Sequence, residues 1–93
     1  MENQKKINEQ NIAMWGLFKK CLPDVAHAYD ELPMEVYKDG ALPGKTKRLM
    51  ALTGALVHGC RACILFQAEK SLDAGTTVEE ILEACSVAVS LGG

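Results

Sequence analysis

The sequence predicts an all-α fold of about five helices. Three observations carry this. Apolar residues recur at helical spacing in five segments, Pro and Gly mark the breaks between them, and no segment alternates apolar and polar residues as a half-buried strand would. The 93 residues allow one domain at most, read as 1–93 with a helical lead-in at 1–33 and a motif-bearing core at 34–93. A chain of this size buries roughly 60–65% of the surface its unfolded form exposes, so a lone monomer is expected to be marginal. The composition is 48% hydrophobic but only 5% aromatic. Such a supply of small aliphatics suits helices that pack closely, including against copies of the same chain.

The first helix is predicted over residues 4–21, where Ile7, Met14, Phe18 and Cys21 share a stripe, Trp15 lies beside it, and Lys5, Glu9 and Lys19 take the other side. Pro23 then breaks the chain and opens a second helix, in whose first turn its missing N–H costs nothing. Val25, Ala28, Tyr29 and Leu32 form the expected stripe of that helix, and Pro33 is expected to stop or kink it. Asp39-Gly40 and Pro43-Gly44 are turn signals, so 39–44 reads as a connector.

The third helix is predicted over 45–58. Lys45 and Lys47 fall in its first turn, where the helix dipole disfavours positive charge unless partners offset it. From Leu49 to Val57 it is apolar almost all round, which predicts burial on every face, part of it by a second subunit. Gly54 and Ala51 would let another helix approach closely. Gly59 suits the left-handed position past a helix end. The fourth helix is predicted from about Cys60 to Ala74, with Ile64, Leu65, Ala68 and Leu72 facing a core and Gly75 ending it. Thr77-Val78-Glu79-Glu80 is a capping box for a fifth helix with Val78, Ile81, Leu82, Cys85 and Val89 as its stripe.

The net charge of −2 gives no reason to expect nucleic acid or an anionic membrane as partner. No run reaches the roughly 18 apolar residues of a membrane span, and the N-terminus lacks a signal peptide's apolar stretch. These readings predict a cytoplasmic protein. Cys21 and Cys85 lie in apolar helical patterns and are expected to be buried thiols, not halves of a disulfide framework.

Chemistry concentrates at Cys60-Arg61-Ala62-Cys63. Two cysteines three apart on a helix share one face, close enough to bridge. The first sits at the helix N-terminus, where unpaired N–H groups and the dipole stabilise a thiolate. A thiolate attacks disulfides and peroxides, and the second cysteine resolves the product. Two other readings compete with redox chemistry. A structural zinc site needs four ligands, and His58, His27, Cys21 and Cys85 form no second paired knuckle. An inert buried pair is the other. The redox reading is preferred, and without a βαβ pattern it is not that of a thioredoxin fold.

Lys45-Thr46-Lys47-Arg48-Leu49-Met50-Ala51-Leu52, Gly59-Cys60-Arg61-Ala62-Cys63-Ile64 and Ala74-Gly75-Thr76-Thr77-Val78-Glu79-Glu80-Ile81 resemble the carboxymuconolactone decarboxylase family, as does Asp39-Gly40-Ala41-Leu42-Pro43. The resemblance covers about residues 34–93 and is nearest to the alkylhydroperoxidase D-like branch that carries C-x-x-C. It implies an all-α fold with the pair at the start of helix 4, trimers or hexamers, and a thiol-dependent peroxidase or disulfide reductase. It also implies that Cys63 attacks the peroxide, that Cys60 resolves the disulfide, and that a dihydrolipoyl protein or another dithiol reduces the pair. Helix-terminus physics alone favours Cys60 as the more acidic thiol. The family domain usually continues with another helical stretch beyond the position of Gly93.

The chain departs from the family at two positions. The family's proton relay uses a glutamate twelve residues before the first cysteine and a histidine four after the second, where this chain has Arg48 and Gln67. Gln67 hydrogen-bonds but takes no proton; Arg48 stabilises a thiolate but is no base. His58, two residues before Cys60, is the obvious substitute acid or base, against an ordinary role capping helix-end carbonyls. His27 and Glu69 read as surface groups, and Glu35 has no assigned place.

The expected protein is therefore a cytoplasmic, homo-oligomeric, antioxidant thiol peroxidase or disulfide reductase that uses Cys60 and Cys63 and requires no metal or organic cofactor. A lactone decarboxylase and a non-catalytic redox-sensing oligomer are the alternatives. Relatives that decarboxylate generally lack the C-x-x-C, which weighs against the first.

Overall fold

The computed structural model describes residues 3–92, the side chain of residue 4 excepted. Five helices follow one another: α1 (Gln4–Cys21), α2 (Pro23–Val36), α3 (Gly44–His58), α4 (Arg61–Asp73) and α5 (Val78–Ser90). No strand occurs among the described residues. Among the described residues no helix is long and apolar enough to cross a membrane. The helices lie in two compact units, the first ending at Val36 and the second beginning at Tyr37.

In the first unit Asn3 caps α1, its side chain accepting the Lys6 N–H at 3.1 Å. Leu22 closes the helix with an N–H bond to Phe18 O at 2.9 Å, and Pro23 begins the next. Helix α2 continues through Pro33 to Val36, so of the two expected effects of Pro33, a stop or a kink, the stop does not occur. Pro33 lies in the last turn of α2, where it removes one N–H bond and little helix remains to be broken.

The seam of this pair is built on Trp15. Its ring stacks on Phe18 at 5.1 Å and meets Tyr29 of α2 at 5.3 Å, tilted by 58°. Lys19 lies 5.7 Å over the same ring and pairs with Asp30 at 3.3 Å. Ala26 is buried, and the small side chain brings the helices together. The predicted stripes are otherwise not covered: Val25, Tyr29 and Leu32 on α2 and Met14 on α1 are more than half exposed. Two helices facing each other bury a single seam, too narrow for the whole apolar arc of either. Cys21 is likewise exposed, against the expectation of a buried thiol.

In the second unit α4 and α5 both pack on α3. Leu52 and Ala55 of α3, Ser71 of α4 and Ala88 of α5 are buried. Thr53 Oγ1 lies 3.1 Å from both Leu49 O and Ala84 O, tying α3 to α5. The two awkward lysines find acceptors: Lys45 pairs with Glu80 at 3.0 Å, and Lys47 donates to Lys38 O at 2.7 Å. Helix α4 ends at Gly75 (φ 89°), and Thr77 and Glu80 make the predicted capping box. The Thr77 N–H, donating at 2.8 Å, and then Lys45 hold the Glu80 carboxyl below the usual glutamate range.

Burial of α3 on every face is not seen within this chain. Met50 and Val57 are about half exposed, as α4 and α5 cover only the side bearing Leu52 and Ala55. Leu72, Val78, Leu82 and Val89 are also exposed, and Cys85 is half-buried. The register of α4 and α5 turns their smaller residues, Ser71 and Ala88, toward α3 instead.

Candidate redox-active site

The site begins where α3 stops. Gly59 takes a left-handed conformation (φ 78°) and donates its N–H to Ala55 O at 2.9 Å, reversing the chain within one residue. A residue with a Cβ is strained there, which is why glycine follows His58. Cys60 then adopts extended backbone and becomes the N-cap of α4, one position outside the predicted helix. Its Sγ accepts the Cys63 N–H at 3.2 Å, the role that Ser or Asp usually fills.

Cys60 and Cys63 are joined as a disulfide, their Cα atoms 5.2 Å apart. This lies within the ordinary range for bridged cysteines. One turn of helix therefore sets the spacing. Cys63 is exposed and Cys60 is half-buried. Once the bond is reduced, the α4 N-terminus and the Cys63 N–H both favour negative charge on Cys60. Exposure and the helix-terminus contact thus fall on different residues of the pair.

Gln67 lies one turn beyond Cys63 on the same face of α4. Arg48 reaches it from α3, with Nη1 donating to Gln67 Oε1 at 3.3 Å. The guanidinium also lies 3.6 Å over the ring of Tyr37. The two residues at the departing positions are therefore bonded to each other. Tyr37 was not a sequence candidate. The signal for it was indirect, in the two turn dipeptides that follow. Asp39 Oδ1 accepts the Gly44 N–H at 2.7 Å, Gly40 N–H reaches Leu42 O at 3.1 Å, and a Cβ on Gly44 would come within 2.5 Å of Tyr37 O. This folded connector sets Tyr37 against the start of α3.

The other candidates stand as follows. His58 is exposed at the last position of α3, and Glu69 is exposed on α4. His27 belongs to the first unit, where its Nε2 lies 3.1 Å from Glu31 Oε1 on an exposed face, and Glu35 lies in the last turn of α2. Among the described residues no group of three or more His, Cys, Asp or Glu gathers as a metal would require.

Comparison with known proteins agrees with this architecture. Residues 23–93 match the carboxymuconolactone decarboxylase family, well over half of the chain. The chain belongs to that family. A carboxymuconolactone decarboxylase family protein from Legionella pneumophila, solved in its apo form, has 32% sequence identity. It superposes with a TM-score of 0.90 over 97% of this chain and 80% of its own. A protein from Methanobacterium thermoautotrophicum also has 32% identity, with a TM-score of 0.70 over 80% of this chain and 83% of its own. An uncharacterized protein of Cupriavidus necator is 28% identical over 88 residues, 95% of this chain and 74% of the relative. Within the family's all-α frame, the Cys60–Cys63 pair stands at the start of the fourth helix, as predicted.

Proposed function

We propose that this family member belongs to the alkylhydroperoxidase D-like branch and is a thiol-dependent peroxidase or disulfide reductase. The observation that carries the proposal is the bridged Cys60–Cys63 pair, with Cys63 exposed and Cys60 capping α4. In the peroxidase reaction the Cys63 thiolate attacks one peroxide oxygen, the O–O bond breaks, and the alcohol leaves after taking a proton. Cys60 then attacks the resulting Cys63 sulfenic acid, expelling water and closing the disulfide. With a disulfide substrate, Cys63 forms a mixed disulfide that Cys60 resolves. A dithiol or a dihydrolipoyl protein restores both thiols. Arg48 and Gln67, bonded to each other, are its charged and hydrogen-bonding helpers in this proposal.

The working protein in this proposal is a cytoplasmic homo-oligomer, a trimer or hexamer. The exposed apolar faces support that reading, with Met50 and Val57 on α3 and Leu82 and Val89 on α5. Reduced protein treated with one equivalent of hydrogen peroxide should show a Cys60–Cys63 disulfide by mass spectrometry, and Cys63→Ser should abolish turnover with every oxidant. Unchanged consumption of peroxides and disulfides by Cys63→Ser would refute the proposal.

A further inference from the structure

The bond between Arg48 and Gln67 has a direction that fixes the chemistry of both side chains. A guanidinium carries five N–H donors, all in its own plane, and no acceptor. The atom it meets on Gln67 is accordingly the carbonyl end, with Nη1 donating to Oε1 at 3.3 Å. The other end of the same amide, Nε2, is a donor group. The Tyr37 ring lies on the face of the guanidinium, 3.6 Å from Cζ, and takes none of the in-plane donors. The result is a group of N–H donors drawn from α3 and α4, with an aromatic ring across one face.

Arg48, Gln67 and Tyr37 are all half-buried, so the positive charge among them is only partly hydrated. The amide is neutral, and its bond to Arg48 satisfies a donor without compensating the charge. A partly desolvated cation beside a second donor group favours an anion over a neutral acceptor. Shape then selects among anions. Paired guanidinium N–H groups match the two oxygens of a carboxylate in one plane. The ring over the guanidinium face favours such a planar ligand over a tetrahedral one such as phosphate. Gln67 stands one turn beyond Cys63 on the same face of α4, a spacing that puts their Cβ atoms about 5–6 Å apart. An extended chain covers that span in about four or five bonds.

We propose that Arg48 and Gln67 form a carboxylate-binding subsite, and that the oxidant of the Cys60–Cys63 pair is a disulfide or hydroperoxide carrying a carboxylate a few bonds from its reactive bond. The subsite stands on its own geometry; its use by the pair rests on the redox reading above and names the substrate class. The carboxylate is held and takes no part in the bond changes. With a disulfide, the Cys63 thiolate forms an S–S bond to one substrate sulfur and the other leaves as a thiolate. The Cys60 thiolate then attacks Cys63, closing the intramolecular disulfide and releasing the second substrate thiolate. Two electrons pass from the pair to the substrate, and a dithiol returns them.

The first test is binding. The full-length chain is titrated with butyrate, butyramide and inorganic phosphate, and the Gln67 side-chain amide and Arg48 Nε–H are followed by NMR. Butyrate should shift both resonances saturably in the millimolar range, butyramide should leave them in place, and phosphate should bind more weakly than butyrate. Gln67→Glu gives Arg48 a carboxylate of its own and keeps α3 tied to α4, so it should abolish the butyrate response at Arg48 Nε–H. The second test is selectivity. Closure of the reduced pair by 4,4′-dithiodibutyrate, bis(2-hydroxyethyl) disulfide, cystamine and hydrogen peroxide is followed by alkylation and mass spectrometry, each rate divided by that with dithiothreitol. The dithiodibutyrate should be preferred over the neutral disulfide by about tenfold or more, the scale of one hydrogen bond to a charged group. That ratio should fall to about one in Arg48→Gln and in Gln67→Glu. Failure of butyrate to shift either resonance, or tighter binding of phosphate, would overturn the carboxylate subsite. Closure of the pair with no preference for the dithiodibutyrate would overturn the substrate class and leave the redox proposal standing. Butyrate binding with no closure by any of the oxidants would overturn the redox proposal and keep the subsite.

Discussion

Gly44→Ala places a methyl group where the connector touches α3. Its Cβ would come 2.5 Å from the backbone oxygen of Tyr37 and 3.3 Å from Asp39 Oδ1. A carbon–oxygen approach below 3.0 Å is not tolerated, so the Tyr37 carbonyl must retreat by at least 0.5 Å (3.0 − 2.5). The clashing atom is backbone, and the same connector is pinned by the 2.7 Å bonds from Gly44 N to Asp39 and from Lys47 to Lys38 O. Overpacking of this kind costs about 1–3 kcal/mol. Alanine recovers up to about 1 kcal/mol as the better helix former. The net expectation is a loss of about 1–2 kcal/mol, which moves the urea midpoint down by roughly 1 M at the slope of a small protein. Gly54→Ala on the same helix is the control, because a Cβ there meets nothing within 4 Å of this chain. It should gain about 0.5–1 kcal/mol. Because the retreating carbonyl belongs to Tyr37, Gly44→Ala should also loosen the ring under Arg48. If Gly44→Ala and Gly54→Ala shift the urea midpoint equally, the steric argument is wrong.

Three further expectations follow from local chemistry. Glu80 is held below the usual glutamate pKa by the Thr77 N–H first and by Lys45 second. Its stabilising contribution is therefore fully present above about pH 4.3 and lost as pH falls through the lowered folded value, so Glu80→Gln should flatten the acid limb of a stability–pH curve. Cys60→Ser keeps an N-cap acceptor, whereas Cys60→Ala removes it, and both delete the disulfide. The serine variant should be more stable by about 0.5–2 kcal/mol in urea titrations, and equal midpoints would mean that the cap contributes nothing. Ser71 is 0% exposed and its Oγ has no hydrogen-bond partner among the described residues. Ser71→Ala should be neutral or stabilise by about 1 kcal/mol, and a loss above that in thermal unfolding would show that the hydroxyl is satisfied in solution.

The five helices were legible because their boundaries are written in local chemistry. Pro23 starts one, Gly59 and Gly75 end two, and Thr77 with Glu80 caps another, each acting within four residues of itself. The C-x-x-C was legible for the same reason, since one helical turn places its sulfurs. Burial was read less well. The stripes predicted for α2 and α5 contain real helical periodicity, yet the chain covers Ala26 and Ala88 and leaves Val25 and Val89 open. Periodicity names the apolar face but does not say how wide a neighbour will lie on it. At Pro33 two outcomes were open, a stop or a kink, and the helix runs on to Val36, so the stop is the one excluded.

The sequence by itself determined the helical class, the placement of the Cys60–Cys63 pair at the start of the fourth helix, and the two unusual residues at 48 and 67. The tertiary structure alone decided what those two residues do. Arg48 and Gln67 stand 19 positions apart on different helices, and only the packing of α3 against α4 brings the guanidinium to the amide, with the connector adding Tyr37 beneath it. Read singly, they were two absent proton carriers. Bonded to each other, they tie α3 to α4 one turn beyond Cys63. The physical reason is range: caps, turns and a four-residue motif act over a few residues, whereas a charge in a site is set by which distant side chain the fold brings to it.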